Sequence, residues 1–327
     1  MKEAIKPLSL EGIKTYSLRG RKSLVSWQNF ACPVRAPASF KKFLGSLPNI
    51  LAAKDFKEIV ERIQKAHQKG KPVVLGMGAH PIKVGLNPLI VHLMEKGVIQ
   101  ALAMNGAGII HDFEVAFGGK TSEDVATEIG QGTFGMARET GQMINEAINE
   151  GWPKGWGIGR SVGEMIRERK FPYREKSITA VGVKMGIPVT VHVAMGTDII
   201  HLHPQACGEA IGGAGHVDFR LFAAMISQLQ GGVYLNLGSA VIMPEVFLKA
   251  LTLVRNLGYR VTHFTTVNMD FLPHYRPLTN VVRRPTLEGG KGFHLTGHHE
   301  IMFPLLTAAL LEEIGSQGPR GQGVKGK

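Results

Sequence analysis

The sequence predicts an α/β fold, a doubly wound and mostly parallel sheet with helices on both faces. Two observations predict it. Pro72-Val73-Val74-Leu75 runs into the turn Gly76-Met77-Gly78-Ala79-His80, and Val98-Ile99-Gln100-Ala101-Leu102-Ala103-Met104 runs into Asn105-Gly106-Ala107-Gly108-Ile109-Ile110-His111-Asp112. An extended apolar run ending in glycine is how a buried parallel strand hands over to a loop whose backbone N–H groups can approach a ligand. The second observation is the alternation of such runs with helix-period segments between residues 55 and 314, as strand–helix–strand units require.

In chain order the pattern gives a helix over 56–68, a strand over 73–77, a helix over 88–96 and a strand over 99–104. A polar, Gly-rich stretch follows, in which 121–130 reads as a helix with Thr121 or Ser122 as N-cap and 136–150 as another. Strands are predicted over 188–195, 232–237 and 260–266, with helices over 217–230, 244–257 and 300–314. No internal repeat is evident. The domain reading is a basic N-terminal extension over 1–42, one doubly wound domain over 43–314 with a helical insertion near 113–175, and a tail over 315–327. That tail is expected to be disordered, because it holds too little apolar surface to offset the entropy of ordering.

The composition is ordinary for a globular protein, with 327 residues, 44% hydrophobic and 20% charged. The two cysteines, Cys32 and Cys207, form no CxxC pair, so neither a disulfide framework nor a cysteine zinc site is supported and a reducing cytoplasm is expected. No apolar h-region follows Met1 and no run approaches the length of a membrane span, so neither export nor a membrane partner is expected. Seven of the twelve net positive charges fall in residues 1–42 and three after Ile314, leaving two for the body. No basic stripe with interleaved aromatics remains for a nucleic-acid groove, and solvated basic termini account for the charge.

Five clusters of small and polar residues stand at the predicted strand ends: 76–80, 105–112, Gly196-Thr197-Asp198, Gly238-Ser239-Ala240 and Thr265-Thr266-Val267-Asn268-Met269-Asp270. Ligands of open parallel sheets bind outside the carboxyl ends of the strands, so these clusters converge on one crevice. Taken singly, each is a turn that needs glycine for backbone reasons. Neither a G-x-G-x-x-G fingerprint with its ribose-binding acid nor a G-x-x-x-x-G-K-[ST] loop is present. His201 and His203 beside Asp198 form a workable metal half-site, but imidazoles at a glycine-rich cleft serve equally as cofactor contacts, as acid and base, or as structural groups; no metal is assigned. Lys291, between Gly290 and Gly292, is a nucleophile candidate if desolvated and an exposed loop lysine otherwise. Arg283 can clamp an anionic group or be solvated with Arg284. The methionines near strand ends are core packing.

With these motifs in place, residues 40–314 resemble the deoxyhypusine synthase family. The blocks are 76–85, 105–112, 177–189 leading into Gly196-Thr197-Asp198, 233–243 with Gly238-Ser239, and Phe303-Pro304-Leu305-Leu306 in the last helix. The resemblance implies a Rossmann-like NAD-binding domain and a homotetramer. It also implies chemistry in which spermidine is oxidised and its aminobutyl group carried on a lysine as an imine. Carried across by position, the NAD contacts are Ala79, His80, Lys83, Asn105, Gly106, Ala107, His111, Gly238, Ser239, Thr265, Thr266 and His298. Asp198 matches an acidic site position. The family's polyamine-binding acids and tryptophan fall near Leu272, Thr279 and Arg283, and its His-His near Met243-Pro244-Glu245, which reverses the electrostatic preference for a polyamine. Its lysine falls on Lys291 with a shortened connection and on Pro285 without a gap; Lys291 is favoured for its glycine setting.

The expectation is therefore an NAD-dependent enzyme of this type, a transferase or oxidoreductase acting by hydride transfer on a small molecule other than spermidine. Lys291, Asp198, His201 and His203 are the catalytic set, and Asn268, Asp270 and Arg283 face the substrate. The alternatives are a non-catalytic NAD-binding regulator and a spermidine-dependent transferase with a rebuilt pocket.

Overall fold

The computed structural model describes residues 6–315. Residues 1–5 of the basic extension and 316–327 of the tail lie outside them, and with them the expectation of a disordered tail. Six strands form one all-parallel sheet: β1 (Val73–Met77), β2 (Ala101–Asn105), β3 (Val189–His192), β4 (Val233–Leu237), β5 (Thr265–Asp270) and β6 (Lys291–Thr296). Their order is β3-β2-β1-β4-β5-β6. The chain winds outward from β1 to β3, returns to the other side of β1, and winds outward again, which is the doubly wound arrangement with its topological switch point between β1 and β4.

The helices are α1 (Leu51–Gln68), α2 (Asn87–Glu95), α3 (Gly106–Gly118), α4 (Arg138–Gly151), α5 (Ile158–Glu168), α6 (Ile178–Met185), α7 (Gly208–Ser227), α8 (Ile242–Asn256) and α9 (His299–Gly315). In α1, Phe56, Ile59, Val60 and Ile63 repeat at helical spacing and are buried, and Gly70 at φ 62° ends the helix. They join Val73, Leu75 and Met77 of β1 in a large core with residues from α2 to α6 and α9. Val74 and Tyr234 face the opposite side, against Phe222 and Ile226 of α7 and Phe247 of α8. Each large aliphatic side chain so buried contributes roughly 1.5–3 kcal/mol before entropy is counted.

The segment between β2 and β3 is helical throughout its regular parts, and the sequence pattern missed three of its helices. The glycines of α3, α5 and α6 mask helical periodicity but serve close packing: a Cβ on Gly159 would meet the Val189 carbonyl oxygen at 2.0 Å and one on Gly163 the Thr179 oxygen at 2.6 Å. The helix expected over 121–130 is a single turn, Val125–Glu128, followed by a 3₁₀ turn, and its N-cap position is Asp124 rather than Thr121 or Ser122. Helix α7 begins nine residues earlier than its periodicity suggests, because Gly213 lies against the indole of Trp152.

Two corrections bear on function. The strand expected over 260–266 is instead β5, Thr265–Asp270; the β-branched run before it is entry loop, with Val261 and Phe264 packed under the sheet. Moreover, Lys291 and Gly292 of the glycine-rich segment 289–292 begin the edge strand β6, which the sequence pattern does not predict, with Phe293 and Leu295 buried between more exposed neighbours.

Candidate active site

The carboxyl ends of β1, β4, β5 and β6 meet at the switch point through backbone. Gly78 N donates to Leu237 O, Gly238 N to Met269 O and Gly297 N to Asp270 O, each at 3.0 Å. Gly238 has φ 63°, and a Cβ on Gly78 would fall 2.3 Å from the Gly238 carbonyl oxygen. Both glycines are therefore required by contact and conformation, and they bring the two central turns as close as backbone allows.

Four rings gather beyond these turns. His80 lies 5.1 Å from His299 and 5.3 Å from Phe271, Phe271 lies 5.7 Å from His299, and the rings of Phe271 and His298 are parallel within 5° at 6.4 Å. His299 is fully buried. Its Nε2 sits 3.3 Å from the Met269 carbonyl and 3.7 Å from Asp270 Oδ1, so its neighbours assign the hydrogen to Nε2 and leave Nδ1 an unpartnered acceptor. Burial lowers its pKa; the Asp270 charge opposes this and His80 adds to it. Asp270 is buried and accepts from Phe271 N at 2.8 Å. His298 is largely exposed.

On the β2 and β3 side, Asn105 caps α3, its Oδ1 accepting from Gly108 N at 3.0 Å. Asp198 reaches the same helix end from beyond β3, 7% exposed, with Oδ2 unpartnered. A Cβ on Gly106 would lie 2.0 Å from that oxygen. Burial raises the Asp198 pKa to about 6, against a hydrogen bond from Ala194. His201 Nδ1 accepts from Gly196 N at 3.1 Å, so Nε2 carries hydrogen and is buried without an acceptor; burial lowers this pKa.

Several expected site residues are not brought here. Lys291 and Thr265 pair with each other at the starting edge of the sheet, where Thr265 aligns with Val233 and Val233 with Val73. Lys291 Nζ lies 2.7 Å from both oxygens of Glu58 on α1, and Arg62 donates to Thr265 Oγ1 at 3.3 Å. Thr266 is buried one residue further on. The strand-end position expected for Thr265 and Thr266 follows from a strand over 260–266, which ends four residues before β5 does, and the loop position expected for Lys291 gives way to the first residue of β6. The gap-free alternative, Pro285, is a buried proline.

Arg283 is exposed on a π-helical segment, Leu278–Arg283. It borders a depression on the outer side of β6 with Tyr275, Thr286 and Gly292. Asn268 is fully buried inside a polar ladder across the sheet: Asn236 Nδ2 donates to Asn268 Oδ1 at 2.6 Å, and Asn268 Nδ2 lies 3.0 Å from His294 Nδ1. His203 packs its ring on Gly141 of α4 and meets the Gly135 carbonyl at 2.8 Å, a tie that holds the 196–203 loop. Ser239 Oγ accepts from Met243 N at the start of α8. Ala79 and His80 follow β1, Gly106 and Ala107 open α3 directly after β2, Gly238 follows β4 and Asp270 ends β5, so all six stand at the carboxyl ends of the strands, with Lys83 exposed at the end of the turn His80–Lys83. Among the described residues no group of three or more His, Cys, Asp or Glu side chains could hold a metal.

Phe271 and Asn236 are not among the residues the sequence singles out, and of the His298-His299 pair before the last helix only His298 is expected at the site. Their signal is a polar or aromatic residue at or just past a buried run, and it is readable only once the strand boundaries are right.

No family model matches the sequence, and no curated protein matches it. Solved structures do. AgrE, in a ternary complex with ornithine and NAD+, superposes with a TM-score of 0.54 at 17% identity over 80% of this chain and 33% of its own. The chain thus spans about a third of AgrE. A conserved LOR/SDH protein from Methanococcus maripaludis S2 gives 0.51 at 16% identity over 92% of this chain and 76% of its own. A protein described as a deoxyhypusine synthase, from Entamoeba histolytica, gives 0.50 at 12% over 84% and 94%. The likeness is one of fold.

Among the described residues no helix is long and apolar enough to cross a membrane.

Proposed function

We propose that this protein is an NAD-dependent enzyme, of deoxyhypusine synthase-like descent, that acts on a small molecule other than spermidine. The observation that carries the reading is the β3-β2-β1-β4-β5-β6 order with Gly78 and Gly238 in contact at its switch point, where sheets of this topology hold dinucleotides. The residues present suit such a cofactor. Asp198 Oδ2, a buried acceptor with no partner beside the end of β2, fits a ribose hydroxyl, and the rings of His80 and Phe271 fit a planar base. When bound, NAD+ would supply a hydride acceptor for a carbon bearing an amine or hydroxyl. Lys291 has no part in this chemistry, because it is ion-paired at the opposite end of the sheet, and the imine route through it is dropped. Loss of that route favours, as a second reading, a regulator that binds NAD without turnover.

The fold association is supported by likeness to AgrE, whose structure holds NAD+. A homo-oligomer, tetrameric by the family resemblance, is supported by the N-terminal arm, where Leu8, Leu10, Leu24 and Trp27 are at least three-quarters exposed. Calorimetric titration and thermal stabilisation with NAD+ test the cofactor. If neither responds up to about 1 mM, weaker than most functional cofactor sites, the reading is wrong.

A further inference from the structure

One polar cluster on α3, the helix that starts at the crevice, is absent from that reading. His111 stands on the second turn of α3, and the turn His80–Lys83 packs against this helix. His111 Nδ1 lies 2.6 Å from Thr121 Oγ1, and Thr121 Oγ1 donates to Glu114 Oε2. The second oxygen of Glu114 accepts from Thr140 Oγ1 at 3.1 Å. A threonine hydroxyl has a single hydrogen. Since Thr121 gives it to the carboxylate, it must accept from His111, which puts the imidazole hydrogen on Nδ1. Nε2 is left with its lone pair on a side chain that is 15% exposed, its contacts to Thr121 and Glu114 both running through Nδ1.

Burial pushes the Glu114 pKa up, but the hydrogen bonds it accepts in this cluster outweigh it, and the carboxyl stays below its ordinary value, as an acceptor-only partner for Thr121 requires. Ser122, directly after Thr121, holds φ 76°, a conformation that costs a serine of order 1 kcal/mol and is kept only where the surroundings impose it. A carboxylate that fixes an imidazole tautomer through its Nδ1 hydrogen, with the opposite nitrogen free, is the arrangement of a general base and its orienting acid.

We propose that His111 Nε2 is the proton acceptor of the crevice and that Thr121 and Glu114 are its positioning residues. The proposal rests on the NAD-dependent reading. In the step it assigns, the O–H or N–H bond of the substrate breaks, its electron pair stays on the substrate heteroatom, and the proton bonds to Nε2. The resulting imidazolium keeps its Nδ1 hydrogen on Thr121, and Glu114 balances its charge.

Two measurements on the full chain test this. The first is the histidine tautomer, read from long-range ¹H–¹⁵N spectra. The Nδ1–H form at His111 is expected in the native protein and in Thr121→Ser, and its loss in Thr121→Val and Glu114→Gln. The Nε2–H form in the native protein overturns the proposal, as does a tautomer insensitive to Thr121→Val. The second is carbethoxylation of His111 by diethyl pyrocarbonate, followed by peptide mass mapping with and without NAD+. Protection of His111 by about fivefold or more is expected once the site is near saturation. If NAD+ binds by calorimetry and the His111 rate is unchanged, the proposal falls and the cofactor reading stands. If NAD+ does not bind, the cofactor reading falls, and the tautomer decides the relay on its own terms.

Discussion

Asp198 rests against Gly106 so closely that a methyl group on the glycine would lie 2.0 Å from Asp198 Oδ2. Gly106→Ala is therefore expected to push the 196–203 loop off the start of α3, at a cost of about 2–4 kcal/mol in urea denaturation, in the range of an overpacked buried site. Gly212 in α7 is a control with open space around its Cβ position and helical φ. Gly212→Ala is expected to stabilise by about 0.5–1 kcal/mol. Equal effects at the two sites would contradict the contact.

The raised pKa of Asp198 sets a pH dependence of known sign. A carboxyl that titrates near pH 6 when folded and near 3.8 when unfolded favours the fold fully below pH 3.8 and loses that contribution as pH rises through about 6. Two pH units correspond to roughly 2–3 kcal/mol. Asp198→Asn is expected to be the more stable protein at pH 8 and to lack the native decline between pH 4 and 6, measured as the difference between the two denaturation profiles. NAD+ affinity of the native protein is expected to rise through pH 6, as Oδ2 becomes a charged acceptor.

Lys291 and Glu58 form a partly exposed ion pair at the starting edge of the sheet. Lys291→Ala is expected to change stability by under about 1 kcal/mol and to leave NAD+ binding unaltered. Borohydride treatment with amine or carbonyl compounds is expected to give no adduct on this residue by mass mapping; a reduced imine at Lys291 would restore the lysine chemistry.

Tyr234 is fully buried with its hydroxyl unpartnered, and the ring stacks on Phe247 at 3.9 Å. The hydroxyl occupies the space a side chain on Gly76 would need, 2.2 Å from its Cβ position. Tyr234→Phe is expected to raise stability by about 1–2 kcal/mol, since it removes an unsatisfied buried oxygen and nothing else. Gly76→Ala is expected to cost about 2 kcal/mol or more in the native chain and less in the Tyr234→Phe background, a coupling that a double-mutant cycle measures.

Much of this architecture was legible in the residues. The runs before Gly76 and Asn105 identify β1 and β2, because a strand buried on both faces is apolar throughout, and the doubly wound class follows from their alternation with helices. The crevice was legible as well, from glycines where two turns must touch. The limits of local pattern lie elsewhere. Strand β5 is polar in sequence, with Thr266, Asn268 and Asp270 buried, because its neighbours β4 and β6 supply Asn236 and His294 as partners that its own periodicity cannot reveal.

That one displaced boundary moved Thr265 and Thr266 to the wrong end of the sheet, and the unrecognised β6 made Lys291 look like a loop nucleophile. In a parallel sheet a shift of five residues spans the whole strand, so a local error becomes an error of site. What the sequence by itself determined was the fold class and the glycine turns of the crevice, both fixed by short-range backbone and burial requirements. The tertiary structure alone decided which polar side chains reach that crevice. The environments of Asp198 and His299 are built from segments far apart in the chain, Asp198 against Gly106 and His299 against Met269, brought together only by packing over the sheet, whereas His111, Glu114 and Thr121 are near neighbours in sequence whose contact depends on how the chain turns after α3.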